Sequence, residues 1–243
     1  MTGTTPPGVT GEHDTARWVR DMFDKVSGRY DLLNHLLSFN LDKRWRARTV
    51  ERVTPVLLRK DASVLDLCCG TGDVLLALES KRKAAVLGSD FSHPMLVEAQ
   101  RKVDASGAVS PLFEADALSL PLRDASLDLV TIAFGFRNFV NYRKGLAELL
   151  RILKPGGLAA ILEFSQPTNR AFEALYGFFS ARILPWVGGF ISGSRDAYSY
   201  LPESIQKFPD AETLAAEVRA AGFDRVEFER FTGGAVALHL AWK

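Results

Sequence analysis

Hydrophobic positions along the chain change rhythm twice. From 16 to about 59 they recur at helical spacing, with Trp18, Met22 and Phe23 on one face and Val50, Val53, Val56 and Leu57 on another. This predicts two or three helices, with Asp42 standing before a run of good helix formers as an N-cap. Short apolar runs follow at 63–67, 85–89, 127–133 and 157–164, with a weaker one at 111–115. Helix-like stretches at 74–81, 94–105 and 143–153 separate them. Strands alternating with helices imply crossover connections and a parallel sheet. Lys154-Pro155-Gly156-Gly157 reads as a stop and turn between the last of these helices and the next strand. The ending differs: a helix at 211–221 is closed by Gly222, and strand-like runs at 225–231 and 236–242 are joined by Thr232-Gly233-Gly234-Ala235. The glycine pair is a hairpin signal.

At 243 residues the chain can bury one α/β core plus an accessory cap. We expect disorder over 1–13, a helical cap over 14–60, and a core over 61–243 carrying an apolar insert at about 168–205. Within that insert, 172–193 is rich in apolar residues but holds Glu173, Arg182, Pro185 and several glycines, which makes a poor spanning helix. It reads either as a helix packed into the core or a dimer contact, or as a greasy flap. A net charge of +1 lacks the basic excess that phosphate backbones require, which disfavours a nucleic-acid partner. Cys68 and Cys69 are adjacent and offer no disulfide framework, as suits a reducing compartment. No basic-then-apolar leader is visible, so the expected location is the cytoplasm. His13, His35, His93 and His239 show no ligand-like spacing, and no metal is expected.

Val64-Leu65-Asp66-Leu67-Cys68-Cys69-Gly70-Thr71-Gly72-Asp73 is a buried strand running into a glycine-bearing turn and a helix. Glycine lets a backbone turn sharply and approach a ligand closely. The segment is either a plain strand-to-helix turn or a nucleotide-binding loop. A dinucleotide site would want a third glycine where Leu75 stands. Asp90, at the end of the second strand, can accept bonds from both hydroxyls of a ribose, or cap the following helix. Asp116-Ala117 follows the third strand, where a carboxylate accepts from an adenine amino group and a backbone amide donates to a ring nitrogen; loop capping explains Asp116 equally well. Three acids, Asp66, Asp90 and Asp116, at the carboxyl ends of successive strands are hard to explain as structure alone.

These residues resemble the class I methyltransferases, whose Rossmann-like sheet also ends in an antiparallel hairpin. Longer motifs are similar to a narrower family, the menaquinone and ubiquinone biosynthesis C-methyltransferases. They are Tyr30-Asp31-Leu32-Leu33-Asn34-His35-Leu36-Leu37-Ser38-Phe39 with Arg44-Trp45-Arg46, Phe134-Gly135-Phe136-Arg137-Asn138, Leu162-Glu163-Phe164-Ser165-Gln166-Pro167, Tyr200-Leu201-Pro202-Glu203-Ser204-Ile205, and the tail from Gly233 to His239. The resemblance spans roughly 20–243. It implies a mostly parallel seven-stranded sheet with an N-terminal helical cap. It further implies S-adenosylmethionine as cofactor and methyl transfer to a ring carbon of a reduced demethylquinone bearing an isoprenoid tail, with demethylmenaquinone favoured. A ubiquinone precursor, both substrates, a non-catalytic scaffold and a nicotinamide-dependent oxidoreductase stay as alternatives. A long-tailed substrate suggests peripheral contact with the inner face of a membrane.

Carried over by position, the cofactor contacts are Thr71, Asp90, Asp116, Ala117 and Ala133, beside Asp66, Gly70 and Gly72 of the loop. Cys68 replaces the first glycine of the superfamily loop, and Ala133 replaces a frequent serine, so a hydroxyl contact is lost there. Arg137 and Asn138 are the candidates for stabilising a phenolate and orienting the ring; a structural ion pair is the alternative for Arg137. Tyr30, His35, Tyr200 and His239 are candidates for substrate contact or proton relay, against packing or capping. Tyr30 and Lys25 would belong to a helical lid. The Asp/Asn-Pro-Pro-Tyr/Phe element of many amine methyltransferases is missing after the fourth strand, where Phe134-Gly135-Phe136 stands.

Overall fold

The computed structural model describes residues 3–6, 8–168 and 195–243. Strands β1 (Val64–Leu67), β2 (Leu87–Asp90), β3 (Leu112–Glu114), β4 (Leu127–Ala133), β5 (Leu153–Phe164), β6 (Arg225–Phe231) and β7 (Val236–Trp242) form one sheet ordered β3-β2-β1-β4-β5-β7-β6. The first five run parallel, and β7 lies antiparallel between β5 and β6. The strand order reverses beside β1, which opens a crevice at the carboxyl ends of β1 and β4. The expected α/β fold, a Rossmann-like methyltransferase sheet closed by an antiparallel hairpin, is the one observed.

Helices α3 (Leu41–Leu57), α4 (Asp73–Arg82) and α5 (His93–Ser106) cover one face of the sheet, and α6 (Tyr142–Ile152) and α8 (Ala211–Ala220) the other. Central strands are therefore buried on both faces, which is why β1 and β4 read as nearly continuous apolar runs. Helices α1 (Glu12–Val26) and α2 (Tyr30–Leu37) form the cap, and α7 (Arg195–Lys207) meets α1 where Val19 and Met22 pack on Tyr200. The stretch 172–193, with its rival readings, lies outside the described residues.

Three local expectations change. The turn expected at 154–157 sits inside β5: pairing jumps from Leu127–Leu153 to Leu129–Leu158, so the Pro-Gly-Gly segment bulges out of the ladder, with Gly156 at φ 74°. Asp42 is not the N-cap of α3. Asn40 holds that position at φ 59°, and Asp42 lies buried in the first turn, accepting from Ser38 Oγ at 2.7 Å and pairing with His35 Nδ1 at 2.8 Å. Within the stretch expected to be disordered over 1–13, one described residue, Thr4, is held in place. Thr4 N–H donates to Phe139 O at 2.8 Å, the Thr4 side chain is buried, and α1 begins at Glu12.

Candidate active site

The crevice beside β1 is a cleft with about 840 Å³ of empty space, its open mouth included. That is ample for a nucleoside-sized ligand with a ring beside it. Its floor is the end of β1. There Cys68 takes φ 56°, a left-handed conformation that costs a side-chain-bearing residue of order 1 kcal/mol. The superfamily's glycine at this position thus has a backbone reason. The bulk of Cys68 packs directly on Gly135, where an added Cβ would stand 2.4 Å from Cys68 Cβ.

Asp90 closes the adjoining wall. Its Oδ2 accepts the Gly70 N–H at 2.9 Å and its Oδ1 the Ser92 N–H at 3.0 Å, so one carboxylate stitches the β1 loop to the start of α5. Burial pushes Asp90 up to about 6, against the pull of these backbone donors. With Phe91 N–H as a third backbone donor, the carboxylate keeps room for a ligand hydroxyl. Asp116 and Ala117 line the same end of the cleft, and Asp116 Oδ1 accepts from Leu118 N–H at 2.9 Å, the loop-capping bond foreseen for it. Phe91, Met95 and Leu118 supply apolar walls suited to a flat base. The carboxylate acceptors and apolar walls fit an adenosyl group, which is the fit that S-adenosylmethionine requires.

The other end is formed by Ala133, Phe134, Gly135, Asn138, Phe139 and Tyr30. Tyr30 lies over the loop, and burial raises its hydroxyl above the usual phenol range, partly offset by Arg137. Arg137 itself does not line the cleft. Its Nη1 donates to Phe134 O at 2.6 Å and to Glu163 Oε1 at 3.1 Å, its backbone N–H donates to Glu163 Oε2 at 3.1 Å, and both side chains are buried. The structural ion pair weighed for Arg137 is what these contacts form, and its guanidinium stacks 5.2 Å from the centre of the Phe164 ring.

Other predicted site residues lie further out. Asp66 is buried beneath the loop, accepting from Thr131 Oγ1 at 2.6 Å, with burial pushing it up to about 7. Neither Thr71 nor Gly72 lines the cleft: Thr71 Oγ1 donates to Asp31 Oδ1 of the cap at 2.5 Å and accepts from Lys102 Nζ at 3.1 Å, while Gly72 N-caps α4 at φ 86° and packs towards Ala99 of α5. His35 pairs with Asp42 outside the cleft, and His239 sits within β7 against Ala211 O at 2.9 Å, so neither reaches the ring end. Tyr200 stands behind Asn138, to which its hydroxyl donates at 3.0 Å. Lys25 is exposed on α1 and does not line the cleft.

Sequence reasoning named Tyr30 and Lys25 for a helical lid but missed the residues of α1 that line the cleft. Ala16, Arg20 and Phe23 of α1 line the cleft, with Arg20 5.5 Å from the centre of the Phe91 ring. The apolar face of α1 was legible, but nothing local says which surface it covers.

The profile of the ubiE/COQ5 methyltransferase family matches residues 10–243. A demethylmenaquinone methyltransferase of Thermus thermophilus is 49% identical over 220 residues, covering 90% of this chain and 98% of the relative. A ubiquinone/menaquinone biosynthesis C-methyltransferase UbiE of Idiomarina loihiensis is 40% identical over 230 residues, covering 93% of this chain and 90% of the relative. A SAM-dependent methyltransferase from Aquifex aeolicus superposes with a TM-score of 0.56 at 22% identity over 79% of this chain and 88% of its own, a likeness of fold.

Proposed function

The chain belongs to the ubiE/COQ5 methyltransferase family, and from that premise we propose that it methylates a ring carbon of reduced demethylmenaquinone, giving menaquinol. It is an S-adenosylmethionine-dependent C-methyltransferase of quinone biosynthesis. The observation that carries the reading is one continuous cleft, with Asp90 and Asp116 at one end and Asn138 and Tyr30 beside an apolar wall at the other.

When bound, the cofactor supplies an electrophilic methyl on a sulfonium centre. Asp90, Asp116 and the Ala117 backbone would hold its adenosyl part, and the left-handed turn at Cys68 brings backbone close to it. A ring carbon becomes a good nucleophile when the neighbouring quinol hydroxyl carries negative charge. Asn138 offers that oxygen an amide N–H, and Phe134 and Phe139 orient the ring while excluding water. Arg137 acts behind this surface. By fixing Phe134 O and pairing with Glu163, it sets the turn Phe136–Asn138 that carries Asn138. Closure by the cap rests on Asp31, which binds Thr71 and Lys102 Nζ, the latter at 2.5 Å.

The isoprenoid tail must be drawn from a bilayer, which supports peripheral membrane contact as part of the proposal. Among the described residues no helix is long and apolar enough to cross a membrane. Flotation with anionic and neutral liposomes tests the contact, and binding to neither refutes it.

The direct test is transfer of labelled methyl from S-adenosylmethionine to chemically reduced demethylmenaquinone, beside a reduced demethyl benzoquinone. Label in the naphthoquinol alone supports the reading. Label in both makes the enzyme serve two quinones, as the joint name of the Idiomarina relative would suggest. Cofactor binding with label in neither ring refutes the substrate and favours a scaffold.

A further inference from the structure

The residues before α1 do more than cover the cleft. Thr4 N–H is bonded to Phe139 O, a residue of the cleft wall, and an added Cβ on Gly3 would stand 2.0 Å from the carbonyl carbon and oxygen of Val140. This strap is thus pressed against the segment that follows Asn138. Thr4 Oγ1 lies 2.7 Å from the Tyr200 hydroxyl, and that hydroxyl donates to Asn138 Oδ1 at 3.0 Å. A phenol has one hydrogen, and here it is given to Asn138. Thr4 must therefore be the donor to Tyr200, which gives the chain Thr4–Tyr200–Asn138 a single direction.

We propose that Thr4 and Tyr200 are positioning residues for the methyl transfer, fixing the Asn138 amide so that it presents an N–H, not a carbonyl oxygen, to the cleft. With Oδ1 held by Tyr200, Nδ2 spends one hydrogen on Phe134 O at 3.4 Å and keeps the second for the cleft that Asn138 lines. A donor there stabilises a phenolate oxygen, whereas a flipped amide would repel it. The Tyr200 ring is held by Trp18 of α1, centroids 5.1 Å apart, and its hydroxyl is kept protonated by burial. Strap, cap and α7 therefore converge on one amide. In its activity arm, the proposal rests on the quinol-methylation reading.

The test compares Thr4→Val, which keeps shape but removes the hydroxyl, with Thr4→Ser, which restores it. Thr4→Val is expected to lower kcat about fivefold, the size of one hydrogen bond, with KM for S-adenosylmethionine unchanged and Thr4→Ser at the wild-type rate. In an Asn138→Ala background the same Thr4→Val change should cost nothing further. A wild-type kcat in Thr4→Val, or a full additional loss in that background, overturns the proposal. An arm independent of substrate is alkaline titration of the Tyr200 phenol, isolated by difference from Tyr200→Phe. Loss of the Thr4 donor should raise its pKa further, and an unchanged value refutes the bond. Should wild-type enzyme methylate no quinol while this titration shifts as expected, the substrate reading fails and the hydrogen-bonded chain stands.

Discussion

Replacing Arg137 by Met separates its two readings. The change removes a guanidinium 5% exposed from a carboxylate 1% exposed, leaving Glu163 buried with, among the described residues, two backbone donors, Arg137 N–H at 3.1 Å and Phe164 N–H at 2.9 Å. Breaking one half of a buried pair costs about 3–5 kcal/mol, because the remaining charge has lost its partner and cannot regain water. The two surviving donors place the expectation near the lower bound, about 3 kcal/mol. For a chain of this size that is a fall in Tm of roughly 6–12 °C. Adding Glu163→Gln removes the stranded charge, so Arg137→Met/Glu163→Gln should recover more than half of the loss. Urea denaturation monitored by circular dichroism measures all three proteins, and kcat is taken well below each midpoint. The double variant should turn over measurably, since the group that lines the cleft is Asn138. If Arg137→Met instead kept its stability while kcat fell by about a thousandfold, the guanidinium would be acting on the substrate and the positional account would be wrong.

Three further outcomes are expected. Asp90, raised to about 6 by burial, is ionised only above that pH; if the ribose hydroxyls bond to the carboxylate, cofactor Kd measured by calorimetry should rise up to tenfold per pH unit below about 6, and a flat profile to pH 5 would contradict this. Burial lowers His239 from 6.5 to about 4, so the unfolded chain takes up the proton first: stability is complete above about pH 6.5 and falls by about 3 kcal/mol as pH drops to 4, a decline that His239→Gln should lessen in urea titrations. Gly135→Ala should destabilise and lower cofactor affinity by driving a methyl into Cys68, while Cys68→Gly, which also relieves the left-handed strain, should rescue it; a thermal shift showing no rescue would mean the two positions do not share that space.

Much of the architecture was written locally. The apolar run at β4 and the two hairpin strands carry their bounds in the chain because a strand buried on both faces must be continuously apolar, and because Gly233 and Gly234 adopt φ 63° and 95° in the connection. Asp90 and Asp116 were legible for a related reason: parallel strands all end at the same edge, so an acid after each strand is delivered to one crevice. Side-chain direction was not legible. Arg137 and Asn138 are adjacent in sequence, yet one lies buried on Glu163 of β5 and the other lines the cleft, since a tight turn sends neighbouring side chains to different sides. No local pattern showed that α2 places Asp31 on the Thr71 hydroxyl, or that α7 places Tyr200 beside Thr4. The sequence by itself therefore determined the sheet, its hairpin and the edge at which ligands bind, because those follow from periodicity and chain direction. Which groups face the ligand was decided only by tertiary structure, because partners 40, 62 and 196 residues apart meet through packing that no local pattern encodes.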